Sequence, residues 1–376
     1  MEREYQICKR CVMDTTDPDI VFDENGFCNH CTNAIKRLNE IYFIDPLEKK
    51  KKLEKIVEKI KSEGKNKKYD CVIGLSGGVD SSYLAYIVVK ELGLRPLAIH
   101  VDNGWNSELA VMNIENIVNK LGIDLITYVI DWEEFKELQK AYLKSSVIDL
   151  EVLSDNAIVV AIYRIMKRYK QKYFLIGFNL AAESIMPSSW LYSPKYDSLN
   201  ILSIYKKFGN SLKLKTYPLF NLWEYIYYRF LDNSTSVNIL DLVEYNKKSA
   251  VETLEKELDW RQYGAKHHES KITEYYQAYI LPTKFNVDKR KAHLSSLICS
   301  KQITRNEALK ELSKPLYDKE KFFIDKEYFL KKLDFDEEEF NDIMNNPPIL
   351  HYNYPSWNKI IQFLGYFKSK VIRFYV

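Results

Sequence analysis

Across 376 residues no apolar run approaches the roughly 18 needed for a membrane-spanning helix. The opening Met-Glu-Arg-Glu also lacks the basic and apolar stretches of a signal peptide. The expected setting is cytoplasmic, with no membrane partner. Charge of one sign is missing as well: 55 Lys and Arg face 52 Asp and Glu, a formal net charge of +3. So small an excess is a weak electrostatic footprint, and nucleic acid is not an expected partner. The one local run, Lys49 to Lys52, shares a stretch with Leu53, Ile56, Val57 and Ile60 at helical spacing and reads as a solvated helix face. Cysteine is scarce, at six, and glycine thins out beyond Ser203. The length does allow a full core and two or three domains.

The few cysteines are unevenly placed. Cys8, Cys11, Cys28 and Cys31 form two CxxC pairs separated by sixteen residues, the spacing of a zinc ribbon whose thiolates close a tetrahedral site. A disulfide pair fits a cytosolic chain poorly, and an iron–sulfur cluster has no ferredoxin-type spacing here. Structural zinc is the expected occupant. His30 lies between the last two thiolates and is expected outside the ligand shell, which four sulfurs already fill. A domain of residues 1–45 could hardly fold without its metal. Replacing Cys8 by serine is expected to unfold the first forty residues and to leave the ATP-binding sheet folded.

The heptapeptide Ser76-Gly77-Gly78-Val79-Asp80-Ser81-Ser82 closes an apolar run and opens a helix-patterned stretch. Paired glycines let backbone approach an anion, a helix start offers free N–H groups, and the serines add hydroxyl donors. A Gly-Gly turn with a serine cap explains the glycines alone. Strand, two Gly, Asp and two Ser in this order point instead to a phosphate site. No Walker-type Lys-Ser/Thr follows. The loop resembles the PP-loop of ATP pyrophosphatases, which release pyrophosphate and transfer AMP.

Strands are expected at 69–75, 96–101, 125–130 and 173–177, with helices at 81–92, 108–121, 132–143 and 157–169. This alternation of apolar runs and helical periods predicts an α/β parallel sheet covered on both faces. The resemblance of the loop implies a PP-loop (adenine nucleotide alpha hydrolase-like, HUP) domain, expected over residues 46–202, between the zinc ribbon and a mostly helical substrate-binding region, 203–376. Ligands gather at the carboxyl edge of such sheets. The loop, His100-Val101-Asp102 and the Gly177–Glu183 segment should therefore meet there. Likeness to PP-loop proteins implies that backbone near Val101 and Asp102 meets adenine. GFNLAAE looks like a stretch of ammonia-using NAD synthetases, which places Gly177 at the nucleotide and Glu183 beside Asp80 as a magnesium ligand. Read alone, Glu183 serves equally as a helix N-terminal charge. Asp155 and Asn156 could face the same site or cap the next helix.

Three of the six histidines fall in a polar block, Tyr263 to Lys271 and Pro282 to Ser296. Taken in order, CKRCVMDTTDPDIVFDENGFCNHC, SGGVDSS, HVDNGW, KHHES and KFNVDKRKAHLSS resemble the N-acetyl sugar amidotransferase family of bacterial surface-glycan biosynthesis. The resemblance covers nearly the whole chain and implies conversion of a sugar acetamido group to an acetamidino group with ATP, magnesium and ammonia. Its substrate would be an N-acetylated sugar, expected to be nucleotide-linked. Within that reaction Lys266, Lys289 and Arg290 would clamp anionic groups, and His267 or His293 would move a proton. Lys271 and Lys291 read as solvated. No glutaminase nucleophile is evident, so ammonia is expected from a separate glutaminase subunit, and the resemblance adds a channel-forming barrel protein. A tRNA-thiolation enzyme is the alternative, but only Cys71 and Cys299 remain to carry sulfur. A non-catalytic binding module with a relic nucleotide site is a third reading.

Overall fold

The structure, a computed structural model, describes residues 4–263 and 269–358. Five parallel strands form its central sheet: β1 Cys71–Gly74, β2 Pro96–Asp102, β3 Asp124–Val129, β4 Tyr173–Leu175 and β5 Thr235–Val237. Their order is β3-β2-β1-β4-β5. Val72 and Ile73 of β1 and Leu97, Ala98 and Ile99 of β2 are buried, as expected of strands covered on both faces. Register pairs Ile73 with Ala98 on one side and with Leu175 on the other. Helices Val79–Tyr86, Glu108–Leu121, Trp132–Ser145 and Val152–Arg168 make the crossovers between the first four strands. The first continues as a π-helical turn, Ile87–Glu91.

The four expected strands lie where the apolar runs put them. β5 was not expected. It is a short, polar edge strand from the region read as helical, held by Thr235 N–H to Lys172 O at 2.7 Å and Ile176 N–H to Val237 O at 3.0 Å. Beyond it the chain is helical, including Lys247–Leu258, Arg290–Cys299, Arg305–Leu312, Lys319–Lys332 and Glu337–Asn345. Strand order reverses at β1, whose neighbours β2 and β4 arrive by crossovers in opposite directions. The crevice beyond the carboxyl ends of β1 and β4 is therefore the place for a ligand.

The ribbon is built into the same molecule. Its four cysteines share one buried cluster with Tyr276, Leu281, Ala292 and Cys299 from the helical region. No helix among the described residues is long and apolar enough to cross a membrane.

Candidate functional site

Cys8, Cys11, Cys28 and Cys31 are fully buried, and their sulfurs all lie within 4.8 Å of one another. Cys8 and Cys31 sulfurs are 3.8 Å apart, those of Cys11 and Cys28 3.5 Å. Zinc–sulfur bonds of about 2.3 Å in a tetrahedron put sulfurs about 3.8 Å apart, so the donor set fits zinc. Backbone N–H groups of Arg10, Cys11 and Cys28 point at Cys8 Sγ from 3.2 to 3.4 Å, an arrangement that favours thiolate. His30 bonds Asp17 instead of joining the sulfurs, and Asp17 also accepts from Ser189 Oγ at 2.6 Å. Burial alone would raise the Asp17 carboxyl, but these donors hold it below its usual range.

A cavity of about 650 Å³ opens at the carboxyl edge of the sheet, within the usual size for a small-molecule site. Ser76, Gly78, Val79, Asp80, Ser81 and Gly177 line one end. Ser81 Oγ meets Ser76 Oγ at 3.1 Å and Gly78 O at 3.2 Å, so the hydroxyls knit the loop around its own turn. Gly77 takes a φ of +83°, and a Cβ there would lie 2.9 Å from Ala110 O. At Gly177 a Cβ would come within 3.2 Å of Ser81 backbone, which is why this strand end can press against the loop.

Asp80 accepts from Tyr245 Oη and, at 3.3 Å, from Asn179 Nδ2. Asn179 also caps the short helix Leu180–Glu183, accepting from Ala182 N–H at 2.8 Å. One side chain thus joins Asp80 to the turn that carries Glu183, and both carboxylates line the cavity. Two carboxylates beside a phosphate loop fit magnesium, a hard ion that takes few protein ligands. Burial, then the Asp80 and Glu183 charges, push the Tyr245 phenol far above its usual range, which keeps it a neutral donor.

The opposite end belongs to the helical region. Arg290, His293, Leu294 and Leu297, one face of the helix Arg290–Cys299, line the same cavity, as does Lys289. Lys289 is buried and ion-paired with Glu151, which also takes Gln277 Nε2 at 2.8 Å. Arg290 binds both oxygens of Asp288, its Nη2 at 2.8 Å, and its Nη1 reaches Lys314 O at 2.9 Å. Each cation is already held in place by a carboxylate. Lys291, expected to be solvated, instead pairs with buried Asp14 of the ribbon. The reason is the ribbon itself, which covers that side of the helix.

Several expected residues stand elsewhere. Ser82 is fully buried, and its hydroxyl faces the core with no hydrogen-bond partner among the described residues, so it is no phosphate donor in this conformation. Val101 and Asp102 close β2 outside the cavity lining; Asp102 Oδ1 is occupied by Gly104 N–H at 2.9 Å and Asn106 Nδ2 at 3.0 Å. Asn156 binds Tyr217 Oη and Pro218 O in the core. Lys266 and His267 lie outside the described residues. Tyr263 and Glu269, to either side of that segment, both line the cavity.

Sequence reasoning missed Tyr245, Glu151 and Gln277, and gave no role to Asn179 and Glu269, which lie within GFNLAAE and KHHES. Glu269 sits over the loop, its Oε1 3.0 Å from where a Gly78 Cβ would be. Antiparallel pairing places it there: Ser107 N–H bonds Glu269 O and Lys271 N–H bonds Trp105 O, each at 2.9 Å. No local pattern announces such contacts.

Residues 49–186 match the NAD synthase family, and residues 269–368 match the LPS biosynthesis protein WbpG-like, C-terminal domain. An uncharacterized protein, MJ1599, of Methanocaldococcus jannaschii is 28% identical over 35% of this chain and 45% of its own. A glutamine-hydrolyzing GMP synthase of Wigglesworthia glossinidia brevipalpis is 29% identical over 30% of this chain and 20% of its own. The chain thus spans less than half the length of these curated relatives. Among solved structures, the NH3-dependent NAD synthetase of Campylobacter jejuni covers 72% of this chain and 98% of its own at 15% identity, with a TM-score of 0.33. The chain thus carries an NAD synthase-type domain followed by a stretch similar to the C-terminal domain of WbpG-like LPS biosynthesis proteins.

Proposed function

We propose that this protein uses ATP and ammonia to convert the acetamido group of an N-acetylated, nucleotide-linked sugar into an acetamidino group. One observation carries the reading: a single cavity joins the phosphate loop, Asp80 and Glu183 to the helix bearing Arg290 and His293. An ATP-only site needs no second wall of this kind; a transfer from ATP to another molecule does.

The chemistry requires activation, because an amide oxygen is a poor leaving group. Attack of the acetamido oxygen on the α-phosphorus forms an O–P bond and releases pyrophosphate. Ammonia then adds to the activated carbon, loses a proton, and AMP departs with the original oxygen. Loop N–H groups and the Ser76 and Ser81 hydroxyls bind the departing pyrophosphate, where charge develops. Asp80 and Glu183 would hold magnesium, which when bound would supply neutralisation of that charge. His293 stands at the acceptor wall, where it takes the proton shed on amination. Lys289 and Arg290, fixed by Glu151 and Asp288, orient the acceptor and its anionic groups. Ammonia comes from a separate glutaminase subunit. The sulfur-transfer alternative lacks a thiol here: Cys71 and Cys299 are buried and neither lines the cavity.

Incubating the protein with ATP, magnesium, an ammonium salt and a panel of nucleotide-linked N-acetylated sugars tests this by mass spectrometry. One sugar should lose mass by the difference between oxygen and NH, with AMP formed in equal amount. AMP formation with tRNA and with none of the sugars would contradict it.

A further inference from the structure

The carbonyl of Gly77, a residue outside the cavity lining, accepts two hydrogen bonds from the helical region. Trp260 Nε1 donates at 2.8 Å and Tyr263 Oη at 3.1 Å. Both aromatic residues are buried, and both line the cavity. Asn113, fully buried on the crossover helix Glu108–Leu121, sets their segment. Its Oδ1 accepts from Arg261 N–H at 2.9 Å, and its Nδ2 donates to Arg261 O at 2.9 Å and to Tyr263 Oη at 3.1 Å. Burial, foremost, pushes the Tyr263 phenol above its usual range, so it stays protonated and able to donate.

A trans peptide is planar, with its C=O and N–H on opposite sides. Anchoring Gly77 O in the aromatic pair therefore turns Gly78 N–H the other way, toward Ser76 Oγ, 3.3 Å off, and the cavity that Ser76 and Gly78 line. A peptide between two glycines is the easiest in the chain to flip, having no Cβ on either side. Flipped, it would present a carbonyl oxygen to a phosphate and repel it.

We propose that Trp260 and Tyr263 are positioning residues for pyrophosphate, holding the Gly77–Gly78 peptide in its anion-binding orientation through the Gly77 carbonyl. The inference rests on reading SGGVDSS as a pyrophosphate site and adds that the acceptor half of the chain sets its competence.

Titration calorimetry with inorganic pyrophosphate plus magnesium, and separately with AMP, tests it in the full chain. Tyr263→Phe keeps the ring and removes one donor; Trp260→Phe removes the other. Each should weaken pyrophosphate binding about five-fold, the scale of one net hydrogen bond, and the double variant more, with AMP affinity unchanged. An equal fall for AMP would mean general damage to the fold and overturn the positioning role. So would unchanged pyrophosphate affinity in Tyr263→Phe, which is the variant least disturbing to packing. If the unmodified protein binds no pyrophosphate, it is the phosphate-site reading that fails, and the inference with it.

Discussion

Replacing Asp80 by alanine should lower turnover by about a thousandfold, the scale for a lost charge-stabilising group, while the protein stays folded. The fold survives because Asp80 lies in the first turn of a helix at the cavity edge, and among its described partners Tyr245 Oη and Asn179 Nδ2 are left to find new ones. Each lost hydrogen bond costs about 1 kcal/mol, a small part of a domain's stability. The chemical cost is larger, because the carboxylate acts where pyrophosphate gathers charge. An interaction made only as charge develops shows in kcat and kcat/KM together. Lys289→Ala should look different: it removes a contact made with bound acceptor, so it raises KM for the sugar with little change in KM for ATP. Steady-state kinetics with both substrates varied checks the contrast, and near-normal turnover by Asp80→Ala would mean that the loop is structural.

Removing zinc, or changing Cys8 to serine, should have the second large effect and reach further than the ribbon. Closing a four-thiolate zinc site contributes about 10 kcal/mol of local folding free energy. The structure shows what that energy supports. Val12 N–H donates to Ser295 Oγ at 3.1 Å, Asp14 holds Lys291, and Arg305 reaches Cys8 O and Cys11 O at 3.0 to 3.2 Å. Lys291, Ser295 and Cys299 lie along one face of the helix whose other face carries Arg290, His293 and Leu297 into the cavity. Losing the ribbon unclamps the acceptor wall. Hydrogen exchange on Cys8→Ser should show lost protection at residues 4–38 and again at 290–299, with β1 and β2 still protected. Protection lost only before residue 45 would contradict the clamp. Metal analysis should give one zinc per chain; stoichiometric iron, or no metal in a well-folded protein, would contradict the site.

The contrast between those two outcomes marks where sequence reading stops. β1 to β4 are legible because each is an apolar run ended by turn residues, and the loop is legible because its glycines, serines and aspartate are consecutive. The CxxC pairs are equally local. β5 is invisible because Thr-Ser-Val is short and polar, and only pairing with β4 makes it a strand. Lys291 reads as solvated, since a lysine in a polar helical block usually is, and nothing local gives Ser295 or Ser296 a partner. They turn inward because Val12 N–H, Ile185 N–H and Asp14 come from distant parts of the chain to meet them. Trp260 shows the same limit, its bond to the loop spanning 183 residues of sequence. Chemistry written in neighbours could be read; chemistry assembled by the fold could not.

The central claim is that the acetamido oxygen becomes attached to AMP inside this cavity. An N-acetylated nucleotide sugar carrying a heavy oxygen isotope in its acetamido carbonyl, incubated with the protein, ATP, magnesium and ammonium, follows that oxygen directly. The account predicts the label in the phosphate of AMP, one labelled oxygen per acetamidino group formed. Product formed with the label released to water, and none in AMP, would contradict it.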